Sequence, residues 1–555
     1  MDIDKTIWKY ALRNAAKFGK TDPGRLVGKL LGEEPSLRAD MKHIMPVMKK
    51  IVDEVNALSP HEIEERLKEF PEEEKEEKDI FDFVVPKRPV VTAFPPDPSK
   101  YPHIGHVKAA LLNYLFAKKY NGKFYLRFED TNPELPRTEY YEQFIHDFSW
   151  IGIFPDQVFY ASDSVDYLYT MIEKFFAEGH AYVCTCTQER VKMSREKGKP
   201  CACRSLAKEE NLARFKKMLS GEFKEGDSVV RLKIDLSHQN STMRDPSVFR
   251  TNDHPHPRVG KKHRVWPTYD FQNSVLDGQM GVTYRFRTKE FELRNELHSL
   301  IQEWAGFTPT EIFEFGRFNM EGVPSSGRMI RELMQKGELS GWDDPKLHTI
   351  AALRRRGFTP EGIRNFLLST GFTKNETVLT WDDLIMTNKR LIDAKAKRYF
   401  LVWDAKELVV RNCPVKDVFL KNHPEHEERT RHMKIDGNFL ITAHDLHTIG
   451  TLPKGSLVRL MDCINIVKSA DGFDYHSEDY LAFRDSPLEK HIIHWLPALG
   501  NVQVDVFMPD HELITGFGEP SLDGVETGEV IQFERFGFCR LDKKDESYHF
   551  WFTHR

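Results

Sequence analysis

The sequence predicts a multidomain α/β protein with a parallel sheet at its core and an all-β C-terminal region. Three observations carry this. At about 150 residues per domain, 555 residues make roughly four domains. From Lys87 to Asp130 the text runs strand, loop, helix, strand, a βαβ unit that implies a parallel sheet with a nucleotide site at its strand C-termini. Beyond Val402 period-two strands such as NVQVDVFM and SYHFWFTH alternate with Gly, Pro and Asp turns, as in barrels.

Taken in order, residues 1–85 read as a helical extension. Ile7, Ala11, Leu12, Ala15 and Phe18 recur at helical steps before Gly19, Asp22-Pro23 suits a second helix start, and Ile51, Val52, Val55 and Leu58 mark a third helix. The run from Glu72 to Asp79, EEEKEEKD, reads as a solvated linker. Residues 86–181 hold the βαβ unit: the strand KRPVVTAF, a Pro- and Gly-containing loop, the helix VKAALLNYLFAKKY with Val107, Leu111, Tyr114 and Leu115 on one stripe, and the strand GKFYLRFED. An insertion with paired cysteines follows over residues 182–255, strand-like text returns over 256–318 (RVWPTYDF, GVTYRFRTKEF), helices dominate 319–400, and strands fill 401–555.

Composition excludes several classes. With 40% hydrophobic and 30% charged residues the chain is neither disordered nor fibrous. A balance of 80 Lys+Arg against 85 Asp+Glu, net −5, argues against a purely electrostatic nucleic-acid coat but leaves room for a local basic face. No apolar run reaches about eighteen residues and MDIDKTIWKY is charged where a signal peptide is apolar, so a cytoplasmic protein with no membrane partner is expected. Seven cysteines do not make a disulfide scaffold. Cys184, Cys186, Cys201 and Cys203 instead form two C-x-C pairs fourteen residues apart, a set able to give four thiolates to a tetrahedral Zn²⁺.

The most informative string is AFPPDPSKYPHIGHVKAALLNYLFA, from Ala93. A loop opening a helix can offer backbone N–H groups and the helix's positive end to phosphate. His103 and His106 can donate to phosphate oxygens, and Gly105 allows close approach. In this context the string resembles the HIGH motif of class I aminoacyl-tRNA synthetases. LRFEDTNP (Leu126–Pro133), MRDP (Met243–Pro246), WPTYDF (Trp266–Phe271) and GWDDPKLHTIAALRRRGFTP (Gly341–Pro360) narrow the resemblance to the glutamyl/glutaminyl branch, in the expected order from residue 85 onward. The helical extension and the VCTC…CACR insertion resemble archaeal-type glutamyl enzymes, whereas PPDPS and RFEDTNP are worded as in glutaminyl ones. Glutamate is the favoured substrate, with a glutaminyl enzyme as the alternative and an inactive tRNA-binding paralogue as a third reading.

The resemblance implies a class I Rossmann-type catalytic domain split by an acceptor-end module, a helical connector carrying a KMSKS-like loop, and C-terminal anticodon-binding barrels. It implies a monomer that uses ATP and Mg²⁺ to activate L-glutamate as glutamyl-adenylate and transfers it to the 3′ end of tRNA(Glu), with tRNA(Gln) left open as a second acceptor, and it implies structural zinc on the four cysteines. Carried over residue by residue, His103, His106 and Arg328 are catalytic; Pro95, Gly105, Ser325, Ser326 and Gly327 bind ATP, the last three within GVPSSGRMIREL; and Glu129, Tyr269 and Arg287 hold the amino acid. Two positions depart from the family. Ala93 replaces an arginine that reads the substrate side chain, and Lys100 stands where glycine is usual, so Lys100 is expected to supply a compensating cation.

Overall fold

The computed structural model describes residues 3–18, 20–33, 37, 40–70, 79–324, 326–425 and 431–555, which form two compact units, Met1–Asp82 and Phe83–Arg555. Gly19 and most of the acidic run from Glu72 lie outside the described residues. Among the described residues no helix is long and apolar enough to cross a membrane.

The first unit is helical: α1 (Ile3–Phe18), α2 (Pro23–Glu33), α3 (Met41–Asn56) and α4 (Pro60–Leu67). Ile7, Ala11, Leu12 and Ala15 bury one stripe of α1 against Met48, Ile51, Val52 and Val55 of α3. α2 starts at Pro23, as a fixed φ favours. α4 starts on a capping box in which the Ser59 N–H donates to Glu62 Oε2 at 2.8 Å.

The second unit opens on the parallel sheet. β1 (Val91–Phe94), α5 (Ile104–Lys119), β2 (Lys123–Phe128), α6 (Thr138–Ile151) and β3 (Gln157–Tyr160) are its first half. After α7 (Val165–Glu178) the chain leaves to build an antiparallel sheet: β4 (Ala181–Cys184), α8 (Gln188–Lys197), α9 (Lys208–Ser220), β5 (Val229–Leu232), β6 (Ser247–Thr251) and β7 (Val265–Pro267). β7, the RVWP text, is thus the last strand of this inserted sheet, and the parallel sheet resumes after α10 (Tyr269–Gln279) with β8 (Tyr284–Thr288), α11 (Asn295–Ala305) and β9 (Glu311–Phe315). The order β3-β2-β1-β8-β9, parallel throughout, puts the topological switch between β1 and β8, where a doubly wound sheet opens a crevice at the strand C-termini. α5 does not show the single stripe expected of it: Val107 and Leu111 are buried but Tyr114 and Leu115 only half-buried, while Ala110, Leu112, Asn113, Phe116 and Ala117 are buried as well. Asn113 is the polar pin, donating to Phe286 O at 2.8 Å and accepting from Phe286 N at 3.1 Å, and this fixes α5 beside β8.

Helices α12 (Gly327–Gln335), α13 (Ile350–Arg356), α14 (Pro360–Ser369) and α15 (Trp381–Ile392) connect this domain to two seven-stranded sheets. In one sheet the edge strands Arg398–Tyr399 and Leu401–Trp403 are separated only by Phe400; in the other, Lys490–Ile493 and Leu496–Pro497 are separated by two residues. Edges so close in the chain force each sheet to curl back toward itself, so each is a nearly closed barrel. Two short helices, Ala443–Gly450 and Tyr480–Arg484, interrupt the strands where Thr442 and Asp479 act as N-caps. Phe536 and Phe552 are buried in the core of one barrel, Phe538 is buried against Ile392 and Ala396 at the end of the helical connector, and Trp551 is buried beneath the Arg355 guanidinium.

Candidate active site

A cavity of about 560 Å³ opens at the switch point, lined by residues from the β1–α5 loop, β8 and the start of α12. His103 is the N-cap of α5, and its Nδ1 accepts from the Gly105 N–H at 3.1 Å. His106 Nδ1 accepts from the His103 N–H at 3.3 Å, and the two rings stack with centroids 3.8 Å apart. With both Nδ1 atoms engaged as acceptors, each neutral ring carries its proton on Nε2. Burial, and then the neighbouring His106 and Lys100 charges, hold His103 well below the usual imidazole value; burial and then Lys100 do the same to His106. Both are therefore neutral donors. Gly105 permits the stack, because a Cβ there would lie 2.9 Å from His103 Cε1.

The loop is gripped from two sides. Ile104 N donates to His348 O at 3.3 Å, Ile350 N donates to Pro102 O at 2.9 Å, and Tyr101 stacks on Trp342 at 5.7 Å, so the GWDDPKLHTI segment clamps it. From α12, Arg331 Nη1 donates to Ser99 O at 2.7 Å, and a Cβ on Gly327 would come within 3.2 Å of Lys100 Cδ. Lys100, Arg317 and Arg331 concentrate positive charge at this end, and burial lowers the Lys100 ammonium from its ordinary value.

The other end is polar and deeply buried. Arg287 is 6% exposed; its Nη1 faces His298 Nδ1 at 3.3 Å, its Nη2 donates to Phe291 O at 3.3 Å and to Asn295, and it forms no ion pair among the described residues. Its Nε has no hydrogen-bond partner. Tyr269, the first residue of α10, lies beside it and packs on His298 with ring centroids 5.6 Å apart. Glu129 accepts from Arg127 Nε at 2.9 Å, from Asn273 at 3.3 Å and from Gln272, and burial raises its carboxyl despite the arginine. Arg127 and Arg285 share Asp277, so the cavity wall here is a closed charge network.

Of the residues singled out in the sequence, Pro95, Lys100, His103, Gly105, His106, Glu129, Tyr269, Arg287, Gly327 and Arg328 line this one cavity. Arg328 does so from the rim, with its side chain 86% exposed and paired to Glu332 at 2.9 Å. Ser326 is exposed and outside the lining, and Ser325 lies outside the described residues. Ala93 is fully buried in β1 and does not line the cavity. Arg285, Arg317, Arg331 and His348 also line the cavity without being motif residues named from the sequence; His348 lies within the DPKLHT string, and Arg331 stands one helical turn from Arg328.

The four cysteines form a separate group. Cys184 ends β4, Cys201 and Cys203 sit in the turn after α8, and all four sulfurs lie within 4.8 Å of one another, with Cys184 Sγ and Cys201 Sγ 3.9 Å apart and no disulfide. Zn–S bonds of about 2.3 Å in a tetrahedron require S···S separations of about 3.8 Å, so the set fits zinc.

Residues 89–394 match the catalytic-domain model of the class I (E and Q) tRNA synthetases, and residues 396–478 and 492–542 match the two anti-codon binding domain models of the same group. The glutamate–tRNA ligase of Pyrococcus abyssi is 40% identical over 564 residues, covering 98% of each chain, and that of Methanocaldococcus jannaschii is 38% identical over 552 residues at the same coverage. The crystal structure of a glutamate tRNA ligase from Elizabethkingia meningosepticum in complex with its amino acid superposes with a TM-score of 0.42 at 20% identity, over 56% of this chain and 70% of that one. With more than half its length in the catalytic-domain match, the chain belongs to the class I glutamyl/glutaminyl (E and Q) tRNA synthetase family.

Proposed function

We propose that this chain is a glutamate–tRNA ligase that activates L-glutamate with ATP and charges tRNA(Glu). The observation that carries the choice of amino acid is Arg287, a buried guanidinium in the cavity lining with no carboxylate partner among the described residues. A buried cation without a counter-charge is costly, and an anionic side chain satisfies it where an amide would not. The full-length relatives named as glutamate–tRNA ligases support the same reading.

In the proposed reaction the glutamate α-carboxylate attacks the α-phosphorus of ATP and pyrophosphate leaves; the terminal ribose hydroxyl of tRNA then attacks the mixed anhydride and AMP leaves. The chain's own contribution is positioning and charge. His103 and His106 donate from Nε2 to phosphate oxygens, and the Gly105 approach and the N-terminus of α5 accept the triphosphate. Arg331 offsets its charge, with Arg328 at the rim, and Lys100 supplies the cation that compensates for Ala93 in amino-acid binding. Pro95 and Gly327 shape the nucleotide wall, and we assign Ser325 and Ser326 to ATP binding on the motif alone. Tyr269 and Arg287 take the substrate side chain and Glu129 its ammonium. Magnesium is brought with ATP and supplies neutralisation of the phosphates. The four cysteines hold a structural zinc that closes the inserted module. We assign that module, residues 182–255, to the acceptor end of the tRNA, residues 319–400 to its inner elbow and the barrels of residues 401–555 to the anticodon, in a monomeric cytoplasmic enzyme; tRNA(Gln) is a candidate second acceptor.

The test is aminoacylation of total tRNA with labelled glutamate and glutamine, with the charged tRNA species separated afterwards. Glutamate on tRNA(Glu) is expected; glutamine charging, or no charging at all, overturns the proposal.

A further inference from the structure

Arg287 is held in place without being neutralised. Two of its donors meet neutral side chains that lie three residues apart on one face of α11: Nη1 faces His298 Nδ1 at 3.3 Å, and Nη2 donates to Asn295 Oδ1. A guanidinium has no acceptor, so His298 Nδ1 accepts and the ring carries its proton on Nε2, which donates to Asp270 Oδ1 at 3.1 Å. Burial, against the hydrogen bond to Asp270, pushes His298 down to about 4, so the ring is neutral at neutral pH. Asn295 repeats the arrangement on the other side, its Nδ2 donating to Glu314 Oε1 at 2.7 Å. Two carboxylates therefore stand behind Arg287, each one side chain removed. Each is also matched to a cation of its own. Arg294 Nη1 reaches both oxygens of Asp270, and Lys374 pairs with Glu314 Oε2 at 3.1 Å.

A carboxylate set directly on a buried guanidinium cancels its charge and competes with an incoming anion, whereas a neutral acceptor orients the fork and leaves the charge in place. We propose that His298 and Asn295 are positioning residues for Arg287, spacers that fix its orientation while holding Asp270 and Glu314 away, and that they thereby set the preference of the site for an anionic substrate side chain over an amide. Glutamate as that substrate rests on the ligase reading; the arrangement of the spacers does not.

Glutamate-dependent pyrophosphate exchange is measured with the full-length protein and bound tRNA for the wild type, His298→Gln, His298→Leu, His298→Glu and Asn295→Asp, and repeated with glutamine. His298→Gln keeps an acceptor for Arg287 and a donor for Asp270, so its KM for glutamate should stay near that of the wild type. His298→Leu loses the acceptor and should raise this KM roughly tenfold. His298→Glu and Asn295→Asp put a carboxylate on Arg287 and should raise it about 100-fold or more, with a fall in the ratio of kcat/KM for glutamate to that for glutamine. KM for ATP should not move in any of them. Because Gln and Glu side chains have the same shape, a merely structural role for His298 would make those two variants alike. Equal glutamate KM values in His298→Gln and His298→Glu overturn the proposal, as does a wild-type KM in His298→Leu. Should His298→Glu fail to fold, as judged by its thermal midpoint, the comparison of His298→Leu with His298→Gln decides by the same criteria. A wild type that activates glutamine and not glutamate overturns the ligase reading and this assignment with it; a wild type that activates glutamate, with variants that leave its KM untouched, overturns the spacers alone.

Discussion

At the scale of single residues the site separates into a phosphate end built on neutral donors and a substrate end built on a buried cation. Because burial holds His103 and His106 below the ordinary imidazole range, lowering the pH from 7 to 6 should not protonate them, and kcat for glutamate-dependent pyrophosphate exchange with tRNA bound should lack an acid limb near 6.5. Such a limb would show that the pair titrates normally. Replacing His103 by Ala removes one donor aimed at developing charge and should lower kcat by about 10²–10³. Arg287→Ala should raise the KM for glutamate by about 30-fold or more, the range expected when one member of a buried charge pair is lost, on the order of 2–5 kcal/mol, with Lys recovering part of it. Lys100→Ala should also raise that KM if the cation compensates for Ala93, and an unchanged value would assign Lys100 to the nucleotide alone. The histidine motif was readable from sequence because its geometry is local: a cap, a glycine and a ring three residues on. Arg285 and His348 were not, because the register of β8 and the packing of a segment more than two hundred residues away bring them to the cavity.

At the scale of elements, what positions the chemistry is a pair of grips on one loop: the GWDDPKLHTI segment on its far side, and α12 through Arg331 and Gly327 on its near side. Arg328 was the residue aligned with the motif lysine, yet the α-helical turn that starts at Gly327 turns Arg331 toward the loop and leaves Arg328 outward with Glu332. α5 escaped its expected stripe because it is enclosed on more than one side, so burial spreads round the helix and the period that reveals a surface helix disappears. The inserted sheet was legible as an interruption but not as four strands, since β7 reads like the strands of the parallel sheet. The cysteine group gives this scale its prediction. α8 is held between the two C-x-C pairs, so stripping the metal with a strong chelator should release one zinc per chain, measured by elemental analysis, and lower the thermal midpoint. Cys184→Ser should bind less than one metal per chain and begin at the lower midpoint; a metal-free wild type with the same midpoint as freshly purified protein would remove zinc from the account.

At the scale of the second unit, the two barrels are tied to each other by Arg431–Glu519 at 2.6 Å and Arg535–Asp445 at 2.8 Å, and one is tied to the helical connector by His511–Asp344 at 2.9 Å and Arg355–Asp542 at 3.1 Å. Within the same unit, histidines whose desolvation disfavours the charged form occur from the catalytic cavity to the last strand. Burial leads the shift in each case: His103 and His106 lie well below the usual value, and His298, His348, His494 and His554 are pushed to about 4. Unfolding returns each to about 6.5. Below that pH the unfolded chain binds protons that the folded chain refuses, so the stabilisation these groups give is complete above about 6.5 and is lost as the pH falls from there toward about 4. The buried carboxyls Glu129, Asp130 and Asp147, raised by burial, act in the opposite sense and soften the loss at its acid end. The thermal midpoint should therefore fall between pH 7 and pH 5.5, before ordinary carboxylates begin to protonate. Calorimetric unfolding near pH 5.5 in buffers of different ionisation enthalpy should register net uptake of several protons per chain, and an uptake near zero would mean that the buried histidines are already charged in the folded protein.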